Sequence, residues 1–137
     1  MFVDACVIVS IFMKEGTKPA YEAALQKADH PFTSPLAAWE AIIILSHPDR
    51  LDLSYSAAHA DVTEWLGVMK VDLRDAGEPH EVLRHAVAVA ERHGVSRRGL
   101  SNFDCFHYAQ AKAAGVPLLT LDRLLRETDV ETLPTGS

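Results

Sequence analysis

The chain is poor in cysteine, carries no excess of positive charge and contains no long apolar run, and each lack closes off a class of protein. Its two cysteines, Cys6 and Cys105, sit in apolar helical patterns. They read as small buried residues of an intracellular protein, because a disulfide framework or a zinc site needs more ligands at closer spacing. Thirteen Lys and Arg against nineteen Asp and Glu leave a formal net charge of −6. That balance argues against broad nonspecific nucleic-acid binding while leaving room for a local basic patch. The apolar start, Met1 to Met13, carries Asp4, lacks a basic leader and is shorter than the ~20 residues that span a bilayer. The expected location is the cytoplasm, with no membrane segment. The seven histidines show no HxxxH spacing, so zinc has little support. No internal repeat, low-complexity tract or linker interrupts the chain.

What is present is ordinarily globular. At 137 residues, 48% hydrophobic and 23% charged, the chain suits one domain over 1–137 with a full core. Phe2-Val3 reads as a buried strand ending at Asp4. Val7, Ile8, Ile11 and Phe12 then repeat at helical spacing up to about Gly16. Thr17 can cap a second helix to about Ala28, with Pro19 in its first turn. Pro31 to Thr33 is extended, and Ser34-Pro35 opens a third helix running to about Ser46. His47-Pro48-Asp49-Arg50 breaks it. Ser54 or Ser56 caps a fourth, with Ala58, Val62, Trp65, Leu66 and Met69 on one face. Val71 to Leu73 alternates like an edge strand, and Asp75 to Gly77 turns. Glu78-Pro79 starts a helix ended by Gly94. A polar loop, Val95 to Ser101, leads into a helix, a Gly-Val-Pro turn and an apolar strand ending at Asp122. A short helix, Arg123 to Glu127, a strand candidate, Val130 to Leu133, and a loose tail, Pro134 to Ser137, complete the chain. Short strands alternating with helices imply an α/β sandwich around a small, mainly parallel sheet. Such sheets bind ligands beyond the carboxyl ends of their strands, where Asp4 and Asp122 both fall.

Four of the nineteen acids stand apart. Asp4 is the only charge between Met1 and Met13, and Glu40 the only polar residue of Leu36 to Leu45. Asp104 opens an otherwise largely apolar helix, and Asp122 closes VPLLTLD. An unpaired buried carboxylate costs several kcal/mol, so such groups pair, neutralise or bind metal. Asp4, Asp104 and Asp122 each have an alternative role as a helix-terminal acid. Glu40, in mid-helix, has none. If the four converge, a hard divalent cation with oxygen ligands answers their repulsion.

The segments MFVDACVIV, SPLAAWEAIIIL, LSNFDCFHYAQAKAAGVPLLTLD and RETDV resemble, in that order, the PIN-domain ribonucleases, and most of all the VapC-type toxins of bacterial toxin–antitoxin pairs. The resemblance implies a PIN-like three-layer α/β/α sandwich and a site for Mg²⁺ or Mn²⁺ built from Asp4, Glu40, Asp104 and Asp122, with Asp129 of Thr128-Asp129-Val130 in reserve. It implies RNA as substrate, a homodimer, and a cognate antitoxin seated near the site. The helices at Val7 to Met13 and Ala41 to Leu45 would then face a partner as well as the core. Two departures stand out. Ala5-Cys6 replaces the Ser or Thr that usually follows the first Asp, which predicts a missing hydrogen bond. Phe103 stands where a glycine is usual before the third acid.

The implied chemistry is metal-assisted phosphodiester hydrolysis. An acidic centre repels RNA, so cations at its rim should hold the phosphates; Arg97 and Arg98 come first, then Arg123. Ser34, Thr120 and Ser101 offer hydroxyls to the site or to RNA, alongside capping and turn roles. His107 faces either the site or the helix surface. Trp39 and Trp65 read as core or interface residues. Two competing readings remain: an aspartate-based phosphotransfer domain, which leaves Glu40 unexplained, and a degenerate PIN-like module that binds RNA or protein without cutting.

Overall fold

A computed structural model describes residues 1–135 of the chain; Gly136 and Ser137, the end of the expected loose tail, lie outside them. The order is β1 (Phe2–Val3), α1 (Ala5–Met13), α2 (Lys18–Lys27), β2 (Phe32–Thr33), α3 (Pro35–Ser46), α4 (Tyr55–Val68), β3 (Asp72–Leu73), α5 (Pro79–His93), α6 (Asn102–Ala114), β4 (Leu118–Leu119), α7 (Arg123–Arg126) and β5 (Thr132–Leu133). The strands form one sheet in the order β3-β2-β1-β4-β5. Every pairing is parallel, with Phe2 opposite both Phe32 and Leu118, and Val3 opposite Leu119. The expected small parallel sheet is therefore parallel throughout.

Alternation along these strands divides the interior into two cores, because successive side chains point to opposite faces. Val3 and Leu119 pack with α1, α2, α3 and α4 through Val7, Ile8, Tyr21, Leu25, Ala41, Leu45, Val62 and Leu66. Phe2, Phe32 and Leu118 face α5 and α6 through Val82, Ala86, Val89, Cys105, Tyr108 and Ala109. Parallel strands covered on both faces read as continuous apolar runs, and their shortness makes each buried residue count.

Local chemistry sets the boundaries. Ser34 accepts a hydrogen bond from the Ala37 amide at the start of α3, and Ser54, not Ser56, does the same for α4 through Ala57. Glu78 accepts from the amides of His80 and Glu81 at the start of α5. Thr17 makes no such bond, since its hydroxyl is taken by Ser10 Oγ at 2.6 Å. α1 stops before Gly16: Lys14 adopts the left-handed conformation, φ 54°, and its amide closes on Ile11 and Ser10, leaving the glycine no role in that turn. Gly115, φ 66°, ends α6 as the Gly-Val-Pro turn requires. β5 pairs only at Thr132 and Leu133, shorter than the alternation from Val130 suggests, and α7 ends one residue before Glu127.

The connections position the site. After β1 the chain crosses to β2 on one side, and β4 returns on the other, so β1 and β4 are neighbours whose chains leave in different directions. That is a topological switch point, with a crevice beyond the strand ends. Asp4 and Thr120 are the first residues past β1 and β4. Leu119→Ala, which removes a fully buried side chain from the centre of the sheet, is expected to cost about 2–5 kcal/mol in urea-unfolding stability.

Candidate active site

Asp4 occupies the turn from β1 into α1 with helix-capping backbone angles, φ −69° and ψ 152°, yet its side chain makes no capping bond. The carboxylate instead turns into the crevice between β1 and β4. Its Oδ2 accepts from the Thr120 hydroxyl at 2.7 Å and from the Cys6 thiol at 3.0 Å. The hydrogen bond expected to be missing without Ser or Thr is thus present, made by sulfur. Burial, reinforced by the Asp4 charge, pushes the Cys6 thiol well above its ordinary range, so it stays protonated and able to donate. The Tyr21 hydroxyl lies 3.4 Å from the same sulfur and accepts from the Leu121 amide, which ties α2 to the strand end that carries Thr120.

Glu40 reaches the crevice from the middle of α3. Its Oε1 lies 2.6 Å from His107 Nε2, and Asp4 Oδ1 lies 3.7 Å from that nitrogen. His107 is neither a surface residue nor part of the cleft wall; it is 0% exposed, beneath the two carboxylates. Burial pulls the imidazole down, but the Glu40 hydrogen bond and the charges of Asp4, Glu40 and Asp104 outweigh it, leaving its pKa above the ordinary value.

Asp104 and Asp122 keep their helix-terminal roles while facing the cleft. The Ser101 amide donates to Asp104 Oδ2 at 3.0 Å, and the Asp104 amide donates back to Ser101 Oγ, a reciprocal box at the start of α6. Asp122 caps α7, with Oδ1 accepting from the Leu125 amide at 3.0 Å. Burial lifts the Asp104 carboxyl above its usual range; the nearby charges of Asp4 and Asp122 add to this and the Ser101 bonds oppose it.

Asp4, Glu40, Asp104 and Asp122 all line one cleft of about 350 Å³, with Cys6, Val9, Glu15, Ile44, Arg50 and Ser101 completing the wall. Each of the four acids commits one oxygen to the protein, and the other makes no hydrogen bond among the described residues. A larger cleft of about 570 Å³, lined mainly by alanines, prolines and Leu133, opens beside Met1 and Pro117. It gathers no comparable set of polar groups.

The other sequence candidates stand elsewhere. Asp129 accepts from the Tyr108 hydroxyl and from Lys112 Nζ, with Arg92 at 3.8 Å, and is not part of the cleft wall. Ser34 is 1% exposed and spends its hydroxyl on the cap of α3. Arg97 and Arg98 are exposed on a loop closed by the Val95–Leu100 bridge, and Arg123 is exposed beside Asp122; none of the three lines the cleft. Sequence reasoning missed Arg50 and Glu15. Arg50 lies in the break after α3 and Glu15 in the turn after α1, both in polar surroundings that give no sign of where the fold brings them.

A parallel α/β sandwich with carboxylates gathered at its switch point offers the hard oxygen donors that suit a divalent cation. The chain belongs to the PIN-domain family, whose model matches residues 1–131. It is 32% identical over 131 residues to Ribonuclease VapC3 of Pyrobaculum aerophilum, covering 93% of this chain and 92% of that protein. Its fold matches the structure of VapBC2 from Rickettsia felis bound to a DNA fragment from its promoter, with a TM-score of 0.68 and 14% identity over 96% of this chain and 95% of that one. It also matches VapBC-1 from nontypeable Haemophilus influenzae, with a TM-score of 0.67 and 17% identity over 96% and 94%.

A carboxyl raised in the folded state opposes folding once it ionises. For Asp104 that cost is absent below the ordinary Asp range and complete above the raised value. Asp104→Asn is therefore expected to raise the melting temperature of the metal-free protein at neutral pH, with the gain vanishing as the pH falls through the carboxylate range. Thermal melts across pH check this, and an equal loss of stability at every pH would refute it.

Proposed function

We propose that this chain is a metal-dependent ribonuclease of the VapC toxin kind, which hydrolyses phosphodiester bonds in RNA in the cytoplasm and is held in check by a cognate antitoxin. The observation that carries this reading is the set of four carboxylates on one cleft, each with an oxygen left over, in a chain of the PIN family. Hard oxygen donors in that number suit Mg²⁺ or Mn²⁺. Asp4, Glu40 and Asp104 would hold the ion, with Asp122 completing the site. A divalent ion bound there supplies an activated water and stabilises charge on the phosphoryl oxygens.

The protein's own residues do the rest. Thr120 and Cys6 clamp Asp4 by one oxygen, Ser101 clamps Asp104, and the Leu125 amide clamps Asp122. Asp4, Asp104 and Asp122 therefore have little rotamer freedom left to lose on binding, and Asp4 and Glu40 offer oxygens within 4.8 Å of each other. Arg50 is the one Lys or Arg on the cleft wall among the described residues. It is placed to hold a substrate phosphate against an acidic centre, as a guanidinium does well through paired hydrogen bonds. Arg97, Arg98 and Arg123 serve as outer contacts along the RNA.

The antitoxin reading gains support from α3. Trp39 and Ile43 remain exposed there, one turn apart, and the Trp39 ring lies 5.8 Å from that of Tyr55. α1, by contrast, buries Val7, Ile8, Val9 and Ile11 and leaves Phe12 and Met13 half-buried, so of the stretch Val7 to Met13 only the last turn keeps apolar surface open to a partner. Both departures from the family pattern fit an active enzyme, since Cys6 donates to Asp4 and Phe103 packs on the His107 ring.

Purified protein is expected to cleave RNA from a cellular pool with Mg²⁺ or Mn²⁺ and to stop when EDTA is added. Asp4→Asn should lower the rate at least about a hundredfold. Absence of cleavage despite demonstrated metal binding would sink the proposal. Arg50→Ala should raise KM about tenfold, the loss of one charge-assisted phosphate contact, with kcat little changed; an unchanged KM would remove Arg50 from the substrate site.

A further inference from the structure

Glu40 is the one member of the acidic set that does not sit at a strand or helix end. It projects from mid-helix α3, and among the described residues the only hydrogen-bond partner of its carboxylate is His107 Nε2 at 2.6 Å. No other described residue hydrogen-bonds this flexible side chain to hold it against Asp4. The imidazole itself is fixed. Its ring neighbours both Phe2, at 5.9 Å and 32°, and Phe103, at 6.4 Å and 27° between planes. It is wholly buried, and its second nitrogen, Nδ1, has no partner among the described residues. A buried polar atom without a partner costs stability, so packing alone would favour an apolar residue at position 107. The imidazole at this position is accounted for by what Nε2 does.

We propose that His107 is a positioning residue for the metal site, holding Glu40 in register with Asp4 from beneath the cleft. The proposal rests on the reading of the cleft as a metal site given above. His107 lies three residues after Asp104, close to one helical turn. α6 thus supplies one carboxylate directly and orients a second through its imidazole, linking α3 to α6 across the end of β1. Phe103, at the place where a glycine is usual in the family, becomes one wall of the slot that aims this ring. A partner that orients a metal-binding group typically changes affinity 10–100-fold when removed.

The test is Mn²⁺ binding to the full-length protein without RNA, by titration calorimetry and electron paramagnetic resonance, together with metal-free melting. His107→Leu should weaken Mn²⁺ binding about 10–100-fold without lowering the metal-free melting temperature. His107→Gln, whose terminal amide reaches the place of Nε2, should restore most of the affinity. If Leu prevents folding, His107→Asn takes its place, being too short to reach Glu40, and the same loss is expected. Unchanged Mn²⁺ affinity in a folded Leu or Asn variant would overturn the proposal, as would a Gln variant no better than Leu. Asp4, Glu40 and His107 offer ligand atoms within 4.8 Å of one another, so direct ligation is a distinct outcome. Nitrogen hyperfine coupling to Mn²⁺ in the wild type, lost in the Leu variant, would make His107 a ligand and overturn the positioning role. Wild type that binds Mn²⁺ but cuts no RNA would defeat the ribonuclease reading and leave this inference standing. Wild type that binds no Mn²⁺ would defeat both.

Discussion

Like charges held close together are the constraint on which this structure turns. Asp4, Glu40, Asp104 and Asp122 meet on one cleft, where their like charges repel one another. The fold answers by restraining each carboxylate through one oxygen. A hydroxyl and a thiol hold Asp4, a backbone amide holds Asp104, another holds Asp122, and a buried imidazole holds Glu40. Those bonds relieve part of the cost, and the raised Asp104 carboxyl shows that they do not relieve all of it. Stability is given up locally in return for a preorganised set of oxygen donors, which is how strained functional sites persist in proteins stable elsewhere.

The sheet makes this convergence possible. Two adjacent parallel strands, β1 and β4, end side by side, and their chains depart in different directions. Asp4 and Thr120 are thereby neighbours though 116 residues apart in sequence. The two helices that supply the remaining main contacts lie on opposite sides of the division between cores. α3 packs largely with the Val3–Leu119 side, and α6 with the Phe2–Leu118 side. The bond between Glu40 and His107 spans that division. The chain belongs to the PIN-domain family and has a 32% identical ribonuclease relative; its acidic cleft is lined from the strand ends at Asp4 and Asp122 and from helices α3 and α6.

Much of the fold was legible because the signals are local. Ser34-Pro35, Glu78-Pro79, Ser101 with Asp104, and the Gly-Val-Pro turn each announce an end by chemistry within four residues of it. The short strands were visible as apolar pairs, though their lengths were not: β5 shrinks to Thr132 and Leu133 because pairing with β4 sets its extent. The left-handed turn at Lys14 was hidden, since nothing in a lysine side chain marks that conformation and Gly16 was the more natural candidate.

At the site, the sequence by itself determined the four acids. Each is isolated in an apolar or helix-opening context, and an ionised group there demands an explanation regardless of the fold. Tertiary structure alone decided the rest. It set Asp129 apart with Tyr108, Lys112 and Arg92, and brought Arg50 and Glu15 to the cleft wall from loops that look like any solvated turn. It also turned the expected loss at Ala5-Cys6 into a sulfur-donated bond, and placed His107 beneath Glu40 instead of on a helix surface. The physical reason is that isolation in an apolar run is a property of neighbours along the chain. Which oxygen meets which donor depends on distances between residues up to 116 positions apart, and only the packed sheet and helices fix those.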